Sequence, residues 1–129
     1  MATFTVGKKI LISGAHTNDT YVLGDAVADT FVGTWGLMFL KGTLVSPSLV
    51  VQARLRGAEV AADAVDYLPI NYLNVYLNGS TGDNTYVSTA LTDDSLILIP
   101  ASGFSISIDL TATSGDGTLY AFPVVGAAA

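Results

Sequence analysis

Turn-forming clusters cut this chain into pieces of strand length. They fall at Ser13-Gly14, Gly24-Asp25, Gly42 to Pro47, Asn78-Gly79 through Gly82-Asp83-Asn84, Thr92-Asp93-Asp94, Pro100-Ala101-Ser102-Gly103 and Ser114-Gly115-Asp116-Gly117. The pieces between them are Thr3 to Ile12, Asp29 to Phe39, Ser48 to Arg56, Val65 to Asn78, Thr85 to Leu91, Ser95 to Ile99, Gly103 to Thr111 and Gly117 to Val125. Gly103 to Thr111 has the cleanest period of two, with Phe104, Ile106, Ile108 and Leu110 alternating against Ser105, Ser107 and Asp109. Ser48 to Arg56 sets Leu49, Val51, Ala53 and Leu55 against Val50, Gln52, Arg54 and Arg56, one apolar face and one partly basic face. Pro123 places the end of the last piece at a sheet edge or outside the ladder, and Pro69 weakens continuity across the tyrosine-rich run.

Helical signals are scarce. Glu59 is the sole glutamate, Gly occurs 13 times, and β-branched residues abound. Only Gly57 to Asp66 could wind two helical turns, and it serves equally as a loop. About eight strands joined without helical crossovers predict an all-β fold, a single antiparallel β-sandwich. The unequal strands and the long loops after Gly42 and Gly57 favour a jelly roll over an up-and-down barrel. A length of 129 residues suits one domain, 1–129, without a linker, its terminal segments packed on neighbouring subunits.

Charge is sparse. Five Lys plus Arg stand against 11 Asp plus Glu, a net −6, and charged residues make up only 12% of the chain. Mean hydropathy is +0.53, yet no apolar run approaches the ~18 residues of a membrane span. A chain this apolar is not disordered either. Lys8 and Lys9 precede Ile10-Leu11-Ile12, too short an apolar stretch for a secretory leader. Without cysteine there is no disulfide framework, thiolate zinc site or thiol nucleophile. With so few cations, direct nucleic-acid binding is disfavoured, and neither a P-loop nor a dinucleotide-binding glycine pattern is present.

Residues with chemistry to offer are few. His16, the sole histidine, lies in the polar, turn-like Gly14 to Asp19 and reads as a loop residue rather than a general base, since no nucleophile-elbow pattern accompanies it. Asp93-Asp94 and Asp116-Gly117 read as turn formers rather than as a glycosidase pair. The loop 78–84 is rich in oxygen but lacks the spaced acids of a calcium loop. No catalytic, cofactor or metal residue is therefore assigned. Tyr72 and Tyr76, aligned on a strand with Asn74 between them, would suit a carbohydrate-binding face or a protein interface. Arg54 and Arg56 form either an ion-pair patch or a solvated sheet edge, and Trp35, between Gly33 and Gly36, is a core or interface anchor.

A sandwich that covers its outer faces with Ser, Thr, Asn and Ala rather than Lys and Glu is expected to bury residual apolar surface against partners. The Met1-Ala2-Thr3 opening, the Asp29 to Gly36 run, Val50 to Gly57, Leu96 to Gly103 and the Val124-Val125-Gly126-Ala127 ending resemble small virion structural proteins of tailed bacteriophages, of the head decoration or cement type. That resemblance implies a non-enzymatic, jelly-roll-like subunit, often trimeric, that sits on the outer capsid surface and clamps major capsid subunits. Such proteins carry no catalytic residues, and no separate capsid-binding arm is identifiable, which leaves either terminus to serve. The interface is expected at Phe4, Val6, Trp35, Arg54, Arg56 and the apolar end Val124 to Ala129, which includes Val125. The alternative reading is a carbohydrate- or receptor-binding module on a tail fibre or a secreted protein.

Overall fold

The structure, a computed structural model, describes residues 2–3, 8–14, 16–23, 34–55, 67–100 and 104–124. These form twelve strands and no helix: β1 Ala2–Thr3, β2 Lys8–Ser13, β3 His16–Leu23, β4 Thr34–Leu40, β5 Ser48–Leu55, β6 Leu68–Pro69, β7 Tyr72–Leu77, β8 Ser80–Thr81, β9 Tyr86–Val87, β10 Ser95–Pro100, β11 Phe104–Ala112 and β12 Asp116–Val124. Two sheets pack together. The first runs β1-β3-β11-β5-β6, and the second β2-β12-β4-β10-β7-β8 with β9 also on β7. All pairings are antiparallel except the short β1 beside β3.

The topology is a jelly roll. Numbering the eight long strands in chain order, the second sheet reads 1-8-3-6-5 and the first 2-7-4, so the chain repeatedly changes sheet between successive strands. The fifth strand of an ideal roll lies beside the fourth. Here only Leu68–Pro69 occupy that place, pairing with Ala53 and Gln52, before the chain crosses at Ile70-Asn71 to join β10 as β7. Pro69, which cannot donate to a ladder, thus stands on a sheet edge.

Alternation fixes the core. Trp35, Leu37 and Phe39 of β4, Ile97 and Ile99 of β10, and Leu119 and Ala121 of β12 point inward from the second sheet. Ile106, Ile108 and Leu110 of β11 meet them from the first sheet with Leu49 and Val51 of β5 and Tyr21 of β3, all buried. Leu44 and Leu91 are also buried in this core from the connecting segments.

Several expectations change. Thr3 to Ile12 is not one strand, because β1 and β2 belong to different sheets. His16 is not in a turn; it opens β3, opposite Ala112. Of Thr85 to Leu91 only Tyr86–Val87 form a strand. Pro123 lies in β12, an inner strand, opposite Trp35 but past the last described β2 pair, Ala121 with Lys8. The stretch Gly57 to Asp66 lies outside the described residues.

Candidate interaction face

The inward residues of the second sheet leave an equally apolar set pointing out. On β4 the outward positions are Gly36, Met38 and Leu40; on β10 they are Leu96 and Leu98; on β12 they are Thr118, Tyr120 and Phe122; on β2 they are Lys9 and Leu11. Register aligns them in three rows. One is Leu11, Thr118 and Leu40; the next is Lys9, Tyr120, Met38, Leu96 and Tyr76; the third is Phe122, Gly36, Leu98 and Leu73. Leu11 is 73% exposed and Phe122 46%, and Met38, Leu40 and Tyr76 are each more than a third exposed.

Strands with both faces apolar read as continuous hydrophobic runs. Leu37-Met38-Phe39-Leu40 and Leu96-Ile97-Leu98-Ile99 are such runs, yet on their outer side Met38 and Leu40 are exposed and Leu96 and Leu98 half-buried. Gly36 has no side chain, so a shallow groove of about 470 Å³ opens over it, lined by Met38, Leu40, Leu96, Tyr120 and Phe122. The rings of Tyr120 and Phe122 stack with centroids 6.5 Å apart, and the Lys9 ammonium lies 5.7 Å from the Tyr120 ring centre. Asp94 borders the face beyond Leu40 and Tyr76, its carboxylate accepting from the Lys41 backbone N–H at 2.9 Å.

The outer face of the first sheet is more mixed, with half-buried Val50 opposite Asp109 and Ser107 almost fully buried. Thr20 donates to the Asp109 carboxylate at 2.9 Å, Ser107 and Gln52 stand in the neighbouring row, and the Arg54 guanidinium lies 4.5 Å from the Tyr67 ring centre. One outer face is thus mixed and half-buried, and the other is almost wholly apolar.

The expected interface residues distribute unevenly. Trp35 is a correction: its indole is 1% exposed and fills the core, so it is not offered to a partner. Arg54 is half-buried on the first sheet, away from the apolar face. Val124 ends β12 opposite Thr34. Phe4, Val6, Arg56, Val125 and Ala129 lie outside the described residues. Sequence reasoning missed Met38, Leu96, Tyr120 and Phe122, although the two unbroken apolar runs carry the signal for Met38 and Leu96.

Tyr72 and Tyr76 do not share a face. A bulge between the Leu96 and Ile97 pairings inserts an extra residue into β7, turning Tyr76 outward and leaving Tyr72 inward. The Tyr72 hydroxyl donates to the Thr89 carbonyl, and burial pushes its pKa up to about 12. Tyr76 donates to the Gly79 carbonyl at 2.9 Å. A paired-tyrosine sugar platform is therefore absent from β7.

The loop 78–84 is held by two asparagines. Asn78 and Gly79, both at positive φ, make the two-residue turn between β7 and β8, the conformation for which Asn-Gly is preferred. The Asn78 amide donates to the Ala90 carbonyl, and its oxygen accepts from the Thr92 N–H at 2.8 Å. Buried Asn74 donates to the Thr85 carbonyl at 2.9 Å and accepts from the Asp83 N–H at 2.9 Å. Hydrogen bonds from Thr85 first, then Asn74, hold the Asp83 carboxyl below the ordinary carboxylate range. Asp83 thus secures a turn in the way expected of Asx residues, and no three of His, Cys, Asp and Glu gather among the described residues.

Comparison with protein-family models, curated proteins and solved structures finds no match.

Proposed function

We propose that this chain is a non-enzymatic structural subunit of a virion, a capsid decoration or cement protein that self-associates, trimeric by preference, on the outer capsid surface and clamps neighbouring major capsid subunits. The observation that carries the reading is the outer face of the second sheet, apolar over three register rows. A contiguous apolar face on a small domain marks an interaction surface. Asn74 and Asn78, each with several side-chain hydrogen bonds, are committed to holding turns, which fits a scaffold. The fold agrees with the jelly-roll subunit that the sequence resemblance implies, although many unrelated functions share that fold.

Cementing would work through buried area. A subunit seated across a junction must lose its contacts before the junction opens, so internal pressure from packaged DNA is resisted without any chemical step. The net −6 suits an exterior position away from DNA. Neither cofactor, nucleic acid nor membrane enters the mechanism.

The test is co-sedimentation of the purified protein with expanded capsids of a phage that encodes it, beside its mass in solution. A trimer that binds expanded capsids and raises their disruption temperature is expected. A monomer that ignores capsids would overturn the reading.

A further inference from the structure

The apolar face also has the properties of a surface that meets itself. We infer that the outer face of the second sheet packs against the same face of a second copy about a twofold axis running along β4. This goes beyond the capsid reading: it names a second copy of this chain as the occupant of the apolar face, whatever other surface meets a capsid.

Charge selects the occupant. Two copies each carrying −6 repel, so a contact between them needs a surface without carboxylates, and none lies within the three rows. The borders carry opposite signs, with Lys9 on β2 at one side and Asp94 just before β10, beside Leu40 at the end of the first row. In the order β2-β12-β4-β10-β7 the strand β4 is central. A twofold along it lays each copy's β12 over the other's β10 and each β2 over the other's β7. Phe122 then faces Leu98, Tyr120 faces Leu96, and Lys9 reaches Tyr76, in the row next to Asp94. The match is made twice, as an isologous contact requires.

Shape and size agree. The notch over Gly36 lies on the axis strand and meets the partner's own notch, and Met38 of each copy, one row away with an unbranched thioether, can bend into the space between them. Five strands at ~4.8 Å spacing and three outward rows cover roughly 500 Å² of sheet plane, or roughly 1,000 Å² for a pair, the lower bound for a specific interface.

The axis makes a sharp test. The chain has no cysteine, so Met38→Cys introduces a single thiol at the axis. Facing sheets lie ~10 Å apart, too far for a direct disulfide, so a short bismaleimide is the bridging reagent. Two Leu11 residues would sit four strand spacings apart across the interface, roughly 19 Å. Although Leu11 is the more exposed position, Met38→Cys is expected to give covalent pairs at least about ten times faster than Leu11→Cys, the margin that a paired encounter requires. Equal rates, or no pairs from Met38→Cys, would overturn the proposal. Equilibrium sedimentation of the unaltered chain gives a second measurement independent of any substitution. Reversible association is expected, weakened about thirty-fold by Phe122→Ala and further reduced by Lys9→Glu; association indifferent to both would also overturn it. Capsid binding is scored separately. Failed cross-linking with intact capsid binding removes only the twofold pairing, and the reverse result removes only the cement reading.

Discussion

At the scale of single residues, turns and buried polar groups set the tolerances. Gly115 sits at φ +96°, and a Cβ there would come within 2.0 Å of the Thr43 carbonyl oxygen, which is backbone and cannot move aside cheaply. Gly115→Ala is therefore expected to lose at least about 1–3 kcal/mol of stability, measured by denaturant unfolding. Tyr72 gives the protein a pH dependence of definite sign. Burial favours the neutral phenol and raises its pKa from 10.0 to about 12, so its contribution is complete below pH 10 and disappears as pH rises toward 12. Chemical denaturation across that window should show falling stability, with a shallower fall in Tyr72→Phe; the fall is not abolished, because burial raises the pKa of Tyr21 as well. The bulge that turns Tyr76 away from Tyr72 was not legible in the sequence. One inserted residue in β7 changes every later side chain's face, and only the partner strand reveals it.

Among the elements, the alternating strands were readable and the doubly apolar ones were not. Ile106, Ile108 and Leu110 point inward as their period of two requires, because Ser107 and Asp109 leave only one apolar face to bury. In β4 and β10 both faces are apolar, so sequence alone could not say which side meets the core. Even for Trp35, the largest side chain of β4, the sequence allows both core and interface. Substitution separates the two sides: Leu37→Ala empties a fully buried site and is expected to cost about 2–5 kcal/mol, while Met38→Ser on the next residue should cost about 1 kcal/mol or less. Thermal melts of the pair provide the check. The short β6 shows a different limit. Pro69 marked a discontinuity, but that the chain changes sheet there follows from long-range pairing, which no local signal encodes. Asn74, whose position between Tyr72 and Tyr76 suits a carbohydrate-binding face or a protein interface, is instead a loop anchor whose amide ties Thr85 and Asp83 to β7. Asn74→Ala is expected to lose about 1–3 kcal/mol and to speed amide exchange at residues 82–85, followed by hydrogen exchange.

For the molecule as a whole, the shortage of charge has a location. The outer face of the first sheet carries half-buried Thr20, Asp109, Gln52 and Arg54 beside Val50 and the buried Ser107, whereas the second presents Leu11, Leu40, Met38, Leu96, Tyr120 and Phe122. The need to cover apolar surface was readable from composition, but its placement was not, since it depends on which strands lie side by side. The central claim is that this outer face is for association and contributes little to folding of the single subunit. The most direct measurement is equilibrium sedimentation of the unaltered chain and of Leu96→Lys at matched concentrations, with melting temperature recorded for each. The expected result is that Leu96→Lys melts within a few degrees of the unaltered chain yet loses its association, because the added ammonium projects into the centre of the contact. An association unchanged by Leu96→Lys, with the fold intact, would contradict it.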